Sequence, residues 1–301
     1  MIAGEASITA KICAFTRAHH SLFTKKPLYD DYYAYELLGD NDYSNIKNKI
    51  ISILNEKAWE IPTLDTWDKF IDELISPIIL SRVKYTEEKL KEFAGNSNET
   101  VQYVICGAGL DSFVFRNNLK NVKIFELDHP DTQTFKINRI KQLGWDIPEN
   151  ASFITIDFEK QNMKDVLLKA GFNPKAKSLF AIMGVTYYLT LDTFSGTLKD
   201  ISELSENETW VVFDYPDKEI LRNGHKYQRM EVLEDITRAL GEVMHNGMSF
   251  NELADAFADV GFYVGEHVTS QIIQEMYFQK RHDNLRAYED VSFILAKKQR
   301  S

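Results

Sequence analysis

The residues with the clearest chemical potential are two glycines after one apolar run and two acids at the end of the next. Residues 101–105 suit a strand and lead into Gly107 and Gly109, and a second short run ends with Glu126 and Asp128. Glycine removes the Cβ that would keep the backbone away from a ligand. An acid at the end of the neighbouring strand can accept hydrogen bonds from both hydroxyls of a ribose. The pattern predicts half of a nucleotide-binding βαβ unit, and an ordinary strand–helix turn is the alternative.

The residues after the second glycine indicate which nucleotide would fit. Leu110, Asp111 and Ser112 stand where the dinucleotide fingerprint has its third glycine. Asp111 also places a negative charge in the first helical turn, where it would repel a pyrophosphate. A nucleoside without phosphates, of which S-adenosylmethionine is the common one, therefore suits the turn better than NAD. A nicotinamide oxidoreductase is the rival that these residues disfavour.

Composition limits the class of protein. The chain has 301 residues, 44% of them apolar, which allows one large domain or two small ones. It has no apolar run of membrane-spanning length and no signal-peptide pattern at its start. Cys13 and Cys106 make no disulfide framework, so we expect a reducing cytoplasmic setting. The formal charge of −10 disfavours nucleic acid and anionic membranes as partners. We expect no metal site, and a homodimer is the assembly that we consider.

The elements that must position these residues begin at residue 101, where short apolar runs alternate with amphipathic segments. Strands are predicted at Val101–Cys106, Val122–Leu127, Ser152–Ile156, Ser178–Met183, Thr209–Asp214, Gly261–Gly265 and Val291–Lys297. Helices are predicted at Leu110–Asn118, Asp131–Leu143, Met163–Ala170, Leu191–Leu204 and Ser249–Val260. Repeated units of this kind form a parallel sheet covered on both faces. The last strand follows with little room for a crossover helix, so it is expected to pair antiparallel.

The first hundred residues are helical by pattern. Helices are predicted at Thr9–His20, Asp30–Leu38, Tyr43–Glu56 and Thr66–Phe93. Without a long linker, residues 1–98 are predicted to form a cap on an α/β core of residues 99–301. Residues 217–247 form a polar insert after the fifth strand, which is interpreted either as a lid or as a solvated helical excursion.

Longer motifs resemble one known family. The segment Val104–Arg116 (VICGAGLDSFVFR) resembles the "GAGLDT…R" signature of the leucine carboxyl methyltransferase-like family of S-adenosylmethionine-dependent methyltransferases. Glu126–Pro130 (ELDHP) resembles its second motif, and Met183–Leu189 (MGVTYYL) resembles its "EGvxxYL" segment. The opening residues, from Ile8 to Asp31, also fit. The resemblance implies a class I methyltransferase fold, Rossmann-like α/β, with a seven-stranded sheet whose last strand is antiparallel.

The resemblance also implies roles around S-adenosylmethionine. Arg82 would grip the methionine carboxylate, as a guanidinium fork can, and Arg17 would reach the same end. Asp128 would hold the ribose hydroxyls, and Asp157 and Phe158 would meet the adenine. On the residues alone, a surface ion pair or a helix cap is the preferred interpretation of Arg82 and Asp157.

Other positions complete the expected cofactor site. The glycine turn Gly107–Gly109, with Ala108 between its glycines, would lie against the cofactor, and His129 would have a structural or adenine-edge role. Met183 stands where the family has a glutamate facing the charged methionyl end. A thioether cannot pair with an ammonium group, so that contact would have to come from a backbone carbonyl or from elsewhere.

The implied activity is O-methylation of a carboxylate or a hydroxyl of a small molecule. Tyr187, Tyr215 and His225 are candidate acceptor residues, and no general base is assigned. Basic residues in the cap and insert would attract an anionic acceptor if they converge; they are Lys25, Lys26, Arg222, Lys226 and Arg229. The alternatives are a peptide C-terminus as acceptor and a protein that binds S-adenosylmethionine with weak or no catalysis.

Overall fold

A computed structural model describes residues 4–95, 99–158, 160–219, 228–241 and 247–298 of the chain. Its centre is one seven-stranded sheet in the order β3-β2-β1-β4-β5-β7-β6. The strands are β1 Val101–Cys106, β2 Val122–Asp128, β3 Ala151–Thr155, β4 Lys177–Ile182, β5 Thr209–Pro216, β6 Tyr263–Val268 and β7 Val291–Lys298. The strand predicted at 261–265 begins two residues later than expected, after the turn at Gly261.

The direction of the strands confirms the expected fold class. β1 to β5 pair in parallel, whereas β7 pairs antiparallel with both β5 and β6. The parallel strands are apolar along almost their whole length, and β1 and β5 are buried at every position. Such runs are typical of strands covered on both faces. Every strand except β7 therefore has its carboxyl end at the same edge of the sheet.

Helices cover both faces of the sheet. They are α1 Ile8–Phe23, α2 Tyr33–Leu38, α3 Asp40–Glu56, α4 Trp67–Leu74, α5 Ser76–Ala94, α6 Phe113–Arg116, α7 Pro130–Leu143, α8 Met163–Lys169, α9 Leu191–Leu204, α10 Gln228–Ala239, α11 Phe250–Asp259 and α12 Ser270–Ile273. Among the described residues, no helix is both long and apolar enough to cross a membrane.

One predicted helix is two helices in the structure. The pattern over Thr66–Phe93 predicted a continuous helix, but α4 ends at Leu74 and α5 begins at Ser76. Pro77 lies in the first turn of α5. Proline has no N–H to donate and is tolerated only in the first turn, so it ends one helix and starts the next.

The helices before β1 pack directly against the sheet and against each other. α5 contacts β1, β4 and β5, and α1 contacts α2, α3, α4 and α5. α10, which belongs to the predicted insert, packs against α3 and α4. The described part of the insert therefore lies against the N-terminal helices. The division at residues 98 and 99 stays a prediction.

Candidate functional site

The glycine turn after β1 has the backbone that the sequence predicts. Gly107 and Gly109 have φ of +73° and +56°, a region that favours glycine. A Cβ at Gly107 would lie 2.7 Å from Cγ2 of Val185, and one at Gly109 would lie 3.0 Å from Cβ of Ala10. Both glycines are thus required by close packing of the turn against α1 and against the loop after β4.

Asp128 ties the end of β2 to the glycine turn. Its Oδ2 accepts a hydrogen bond from the backbone N–H of Gly109 at 2.5 Å, and its Oδ1 accepts one from that of His129 at 2.7 Å. Burial raises the pKa of this carboxyl, and the two backbone hydrogen bonds act in the opposite direction. Each oxygen has two lone pairs, so the carboxylate keeps accepting capacity for a ligand.

Glu126, the other acid of the same strand, has a different environment. It is fully buried and forms an ion pair with Lys136 of α7, which is equally buried. Burial raises the pKa of Glu126 to about 7, while the Lys136 ammonium opposes that rise. Only one of the two acids therefore reaches the site, and the other belongs to the protein interior beneath it.

Arg82 of α5 lies over the turn after β4. Its Nη1 is 3.4 Å from Oδ2 of Asp214, and its Nη2 lies 3.1 Å from Sγ of Cys13. A Cβ at Gly184 would be only 2.6 Å from Arg82 Nη1, so the guanidinium occupies the space that any side chain at Gly184 would need. Its side chain keeps 12% of its surface exposed.

Asp214 was missed by the sequence-based prediction. It lies near the carboxyl end of β5, and its Oδ1 accepts a hydrogen bond from the N–H of Gly184 at 2.6 Å. Its Oδ2 accepts one from the hydroxyl of Tyr187 at 3.0 Å and faces Arg82. The available signal was an acid at the carboxyl end of a parallel strand, next to the strand that Met183 follows.

These groups surround a cavity of about 840 Å³ at the carboxyl ends of β1, β2, β3 and β4. Every position predicted to bind the cofactor lines it: Arg17, Arg82, Gly107, Ala108, Gly109, Asp128, His129, Asp157, Phe158 and Met183. At one end, Phe158 leaves 47% of its surface exposed, and Asp157 faces the ammonium of Lys160 at 2.6 Å. The cavity is large enough for a nucleoside-sized ligand.

Arg17 holds the wall of this cavity. Its Nε donates to Oδ2 of Asp31 at 2.8 Å, and its Nη2 donates to the backbone carbonyl of Leu110 at 2.7 Å. Oδ1 of Asp31 in turn accepts from the hydroxyl of Ser112 at 2.5 Å. α1 is therefore joined to both ends of the turn that follows Gly109.

A second cavity, of about 230 Å³, adjoins the first. The two share five lining residues, namely Thr9, Cys13, Arg82, Gly184 and Tyr188. Tyr187 lines only the smaller cavity, where it was predicted to meet an acceptor. Arg82, which belongs to both cavities, stands at the boundary between them.

Of the remaining candidates for the acceptor site, Tyr215 lies elsewhere. Tyr215 is fully buried on the opposite face of β5 from Asp214, and its hydroxyl lies 3.0 Å from Nε2 of His267. It lines neither cavity, because successive residues of a strand point to opposite faces. His225, Arg222 and Lys226 lie outside the described residues.

The predicted basic cluster does not converge among the described residues. Lys25 and Lys26 line neither cavity. Arg229 binds the carboxylate of Glu289 at 2.8 Å and donates to the carbonyl of Ala287. Its charge is therefore already compensated outside the two cavities.

Comparisons with known proteins agree on one family and one fold. A sequence model of the leucine carboxyl methyltransferase family matches residues 10–202. YktD of Bacillus subtilis strain 168, provisionally named an S-adenosyl-L-methionine-dependent methyltransferase, is 33% identical over 306 residues, with 98% of each chain covered. A solved DUF574 family protein of Streptomyces avermitilis has a TM-score of 0.58 at 11% identity, covering 88% of this chain and 95% of that one. A Thermobifida fusca protein provisionally described as a methyltransferase has a TM-score of 0.56 at 12% identity, covering 99% and 97%. The two structures support the fold alone.

Proposed function

Because the chain belongs to the leucine carboxyl methyltransferase family, we propose that it transfers a methyl group to an oxygen of a small molecule, either a carboxylate or a hydroxyl. It is an S-adenosylmethionine-dependent methyltransferase, and S-adenosylmethionine is its cofactor. The observation that supports the proposal is the pair of adjoining cavities with Arg82 at their boundary.

The residues of the larger cavity fit the cofactor. Gly107 and Gly109 line the cavity with backbone atoms alone, so a ligand can lie directly against the turn. Asp128 retains lone pairs for two ribose hydroxyls, and Arg82 offers a guanidinium to a carboxylate. Phe158 offers an exposed aromatic face to adenine. We therefore assign these residues to the nucleoside and methionine ends of the cofactor.

Met183 cannot pair with the charged methionyl end of the cofactor, so another group must make that contact. It lines the cavity where the family has a glutamate. A buried carboxylate in the same region is that of Asp214, whose Oδ1 accepts a hydrogen bond from the N–H of Gly184, the residue after Met183. We propose that Asp214 provides the negative charge in this region. It also holds Gly184 and Arg82 in place.

Methyl transfer depends more on the position of the acceptor oxygen than on a reactive side chain. The bound cofactor supplies an electrophilic methyl group on a sulfonium. The protein must hold the acceptor oxygen in line with that group, and such orientation can supply much of the rate. A carboxylate acceptor is already ionised at neutral pH, whereas a hydroxyl gains from a base. The smaller cavity, with its shared wall, is where we place the acceptor.

Two binding measurements and one assay test the proposal. Calorimetry should detect binding of S-adenosylhomocysteine to the wild-type protein. Arg82→Met should weaken that binding by about 10-fold or more, because a hydrogen bond to a charged group is worth about 1.5–3 kcal/mol. Lys199→Met removes an exposed charge on α9 and serves as the control.

Radiolabelled S-adenosylmethionine with a panel of small acids, phenols and alcohols then tests transfer. Absence of S-adenosylhomocysteine binding would refute the assignment of the cavity. Transfer only to a peptide C-terminus would refute a small acceptor, which the volume of about 230 Å³ favours. The homodimer and the cytoplasmic location remain predictions.

A further inference from the structure

Asp290, whose carboxylate has one oxygen without a partner in the described part of the chain, lines the smaller cavity. Asp290 precedes β7, and its Oδ1 is shielded from solvent without a hydrogen bond from any described residue. Buried polar atoms are nearly always hydrogen-bonded, so an exception calls for a missing donor. Because Asp290 borders a cavity and its carboxylate can rotate about the Cβ–Cγ bond, a molecule in the cavity can supply that donor.

The other walls indicate an apolar frame for that molecule. They are formed mainly by aliphatic side chains, among them Ile12, Ile75, Ile79, Met230, Leu233 and Val291. An apolar cavity of about 150 Å³ can hold benzene. A cavity of about 230 Å³ therefore suits a single substituted ring or a branched chain of that size.

The charges around Asp290 disfavour a second carboxylate beside it. The titratable and charged groups around it are Glu234, Arg229 and Arg238 of α10, Glu289, Tyr187, Tyr188, Tyr288, Cys13 and Arg82. Arg229 is bound to Glu289, and Arg82 faces Asp214. An anionic acceptor placed against Asp290 would meet a like charge in a poorly solvated space.

We propose that the acceptor is a neutral hydroxyl compound on a small apolar frame, and that Asp290 accepts its hydroxyl proton. This inference rests on the proposed methyl transfer and selects the hydroxyl from its two acceptor classes. Asp290 lines the same small cavity as Tyr187 and as Arg82, which also lines the cofactor cavity.

The proton transfer balances without another reactant. The acceptor oxygen forms a bond to the methyl carbon, and the carbon–sulfur bond breaks with its electron pair remaining on sulfur. The hydroxyl proton goes to the Asp290 carboxylate, which releases it to solvent once the methylated product has left the cavity. Burial raises the pKa of Asp290 to about 6, which leaves it ionised at neutral pH yet close to the pKa that suits a general base.

Matched probes test the selection. 4-Methylphenol and 4-methylbenzoate share one frame and differ in the group that would face Asp290. The affinities are measured by calorimetry with protein saturated with S-adenosylhomocysteine. We expect the phenol to bind more tightly than the benzoate by about 10-fold or more, and 10-fold corresponds to about 1.4 kcal/mol. Asp290→Asn should reverse that order, because it removes the negative charge. Asp255→Asn, on the exposed side of α11, is the control.

Catalysis gives an independent readout. Asp290→Asn should lower methyl transfer to 4-methylphenol by about 10²–10⁴-fold, abolish the acidic limb of its pH profile and leave S-adenosylhomocysteine affinity unchanged. A wild-type preference for 4-methylbenzoate, binding of neither probe, or unchanged transfer in Asp290→Asn would overturn the inference. The comparison of the two probes with the wild-type protein tests the inference even if Asp290→Asn fails to fold. Absence of S-adenosylhomocysteine binding would instead refute the proposed function.

Discussion

Replacing Gly184 with alanine should displace Arg82 while leaving the protein folded. Gly184 has φ of +70°, and a Cβ there would lie 2.6 Å from Arg82 Nη1. Alanine in this left-handed region costs about 1–2 kcal/mol. The clash itself falls on the end of a flexible side chain, which can move away at small cost. We therefore expect a melting temperature lower by a few degrees.

The larger effect should be on cofactor affinity. Moving the guanidinium removes one charge-assisted interaction of about 1.5–3 kcal/mol, which corresponds to S-adenosylhomocysteine binding that is weaker by about 10–150-fold. Calorimetry measures this affinity, and scanning fluorimetry measures the melting temperature. Adding Arg82→Ala to Gly184→Ala should cost little more, because both changes remove the same contact.

Two other glycines serve as controls that distinguish the effect of backbone strain from the effect of moving Arg82. Gly144 has φ of +67°, and a Cβ there would have nothing within 4 Å, so Gly144→Ala should lose similar stability and keep its affinity. Gly196 has neither strain nor a neighbour within 4 Å, and alanine there should be neutral or slightly stabilising in α9. If Gly184→Ala bound S-adenosylhomocysteine as the wild type does, the assignment of Arg82 to the cofactor would be wrong.

Three further predictions concern single groups. Asp128→Asn should weaken S-adenosylhomocysteine binding by about 10-fold in calorimetry, since a charged acceptor becomes neutral; unchanged affinity would exclude Asp128 from the ribose site. Tyr187→Phe should lower the free energy of unfolding in urea by about 1–2 kcal/mol, because buried Asp214 loses a donor; no loss would mean that the bond contributes nothing. Because burial raises the pKa of Glu126 from 4.5 to about 7, the folded protein binds its proton more tightly than the unfolded chain. The free energy of unfolding should therefore fall as pH rises from 4.5 to about 7. The fall should be smaller in Glu126→Gln, and equal pH dependence in both proteins would contradict this.

Local patterns were sufficient for most of the fold. Short apolar runs bounded by glycine and polar residues located all seven strands, and the lack of a crossover before β7 predicted its antiparallel pairing. The glycine turn and Asp128 were predictable for the same reason, since the chemistry lies within one βα unit. The break between α4 and α5 was missed because the apolar period continues across it.

Contacts between distant segments could not be predicted. Asp214 meets Arg82 across 132 positions of the chain, and no local pattern indicates that pairing. Both faces of β5 are buried, so alternation could not decide whether Asp214 or Tyr215 faces the site. The cavity that Asp290 borders is likewise lined by residues of separate helices, α1, α5 and α10.

The strand order leaves one edge of the sheet unpaired while the chain is being synthesised. β6 pairs with β7 alone, and β7 also covers the edge of β5. Until β7 has been synthesised, β6 has no partner and β5 presents an open, apolar edge, which is a ready template for pairing with another chain. Translation proceeds from the N-terminus, so five parallel strands can assemble well before that edge is closed. Slowed synthesis between β5 and β7 should therefore favour aggregation, and chaperone binding during translation should be concentrated there.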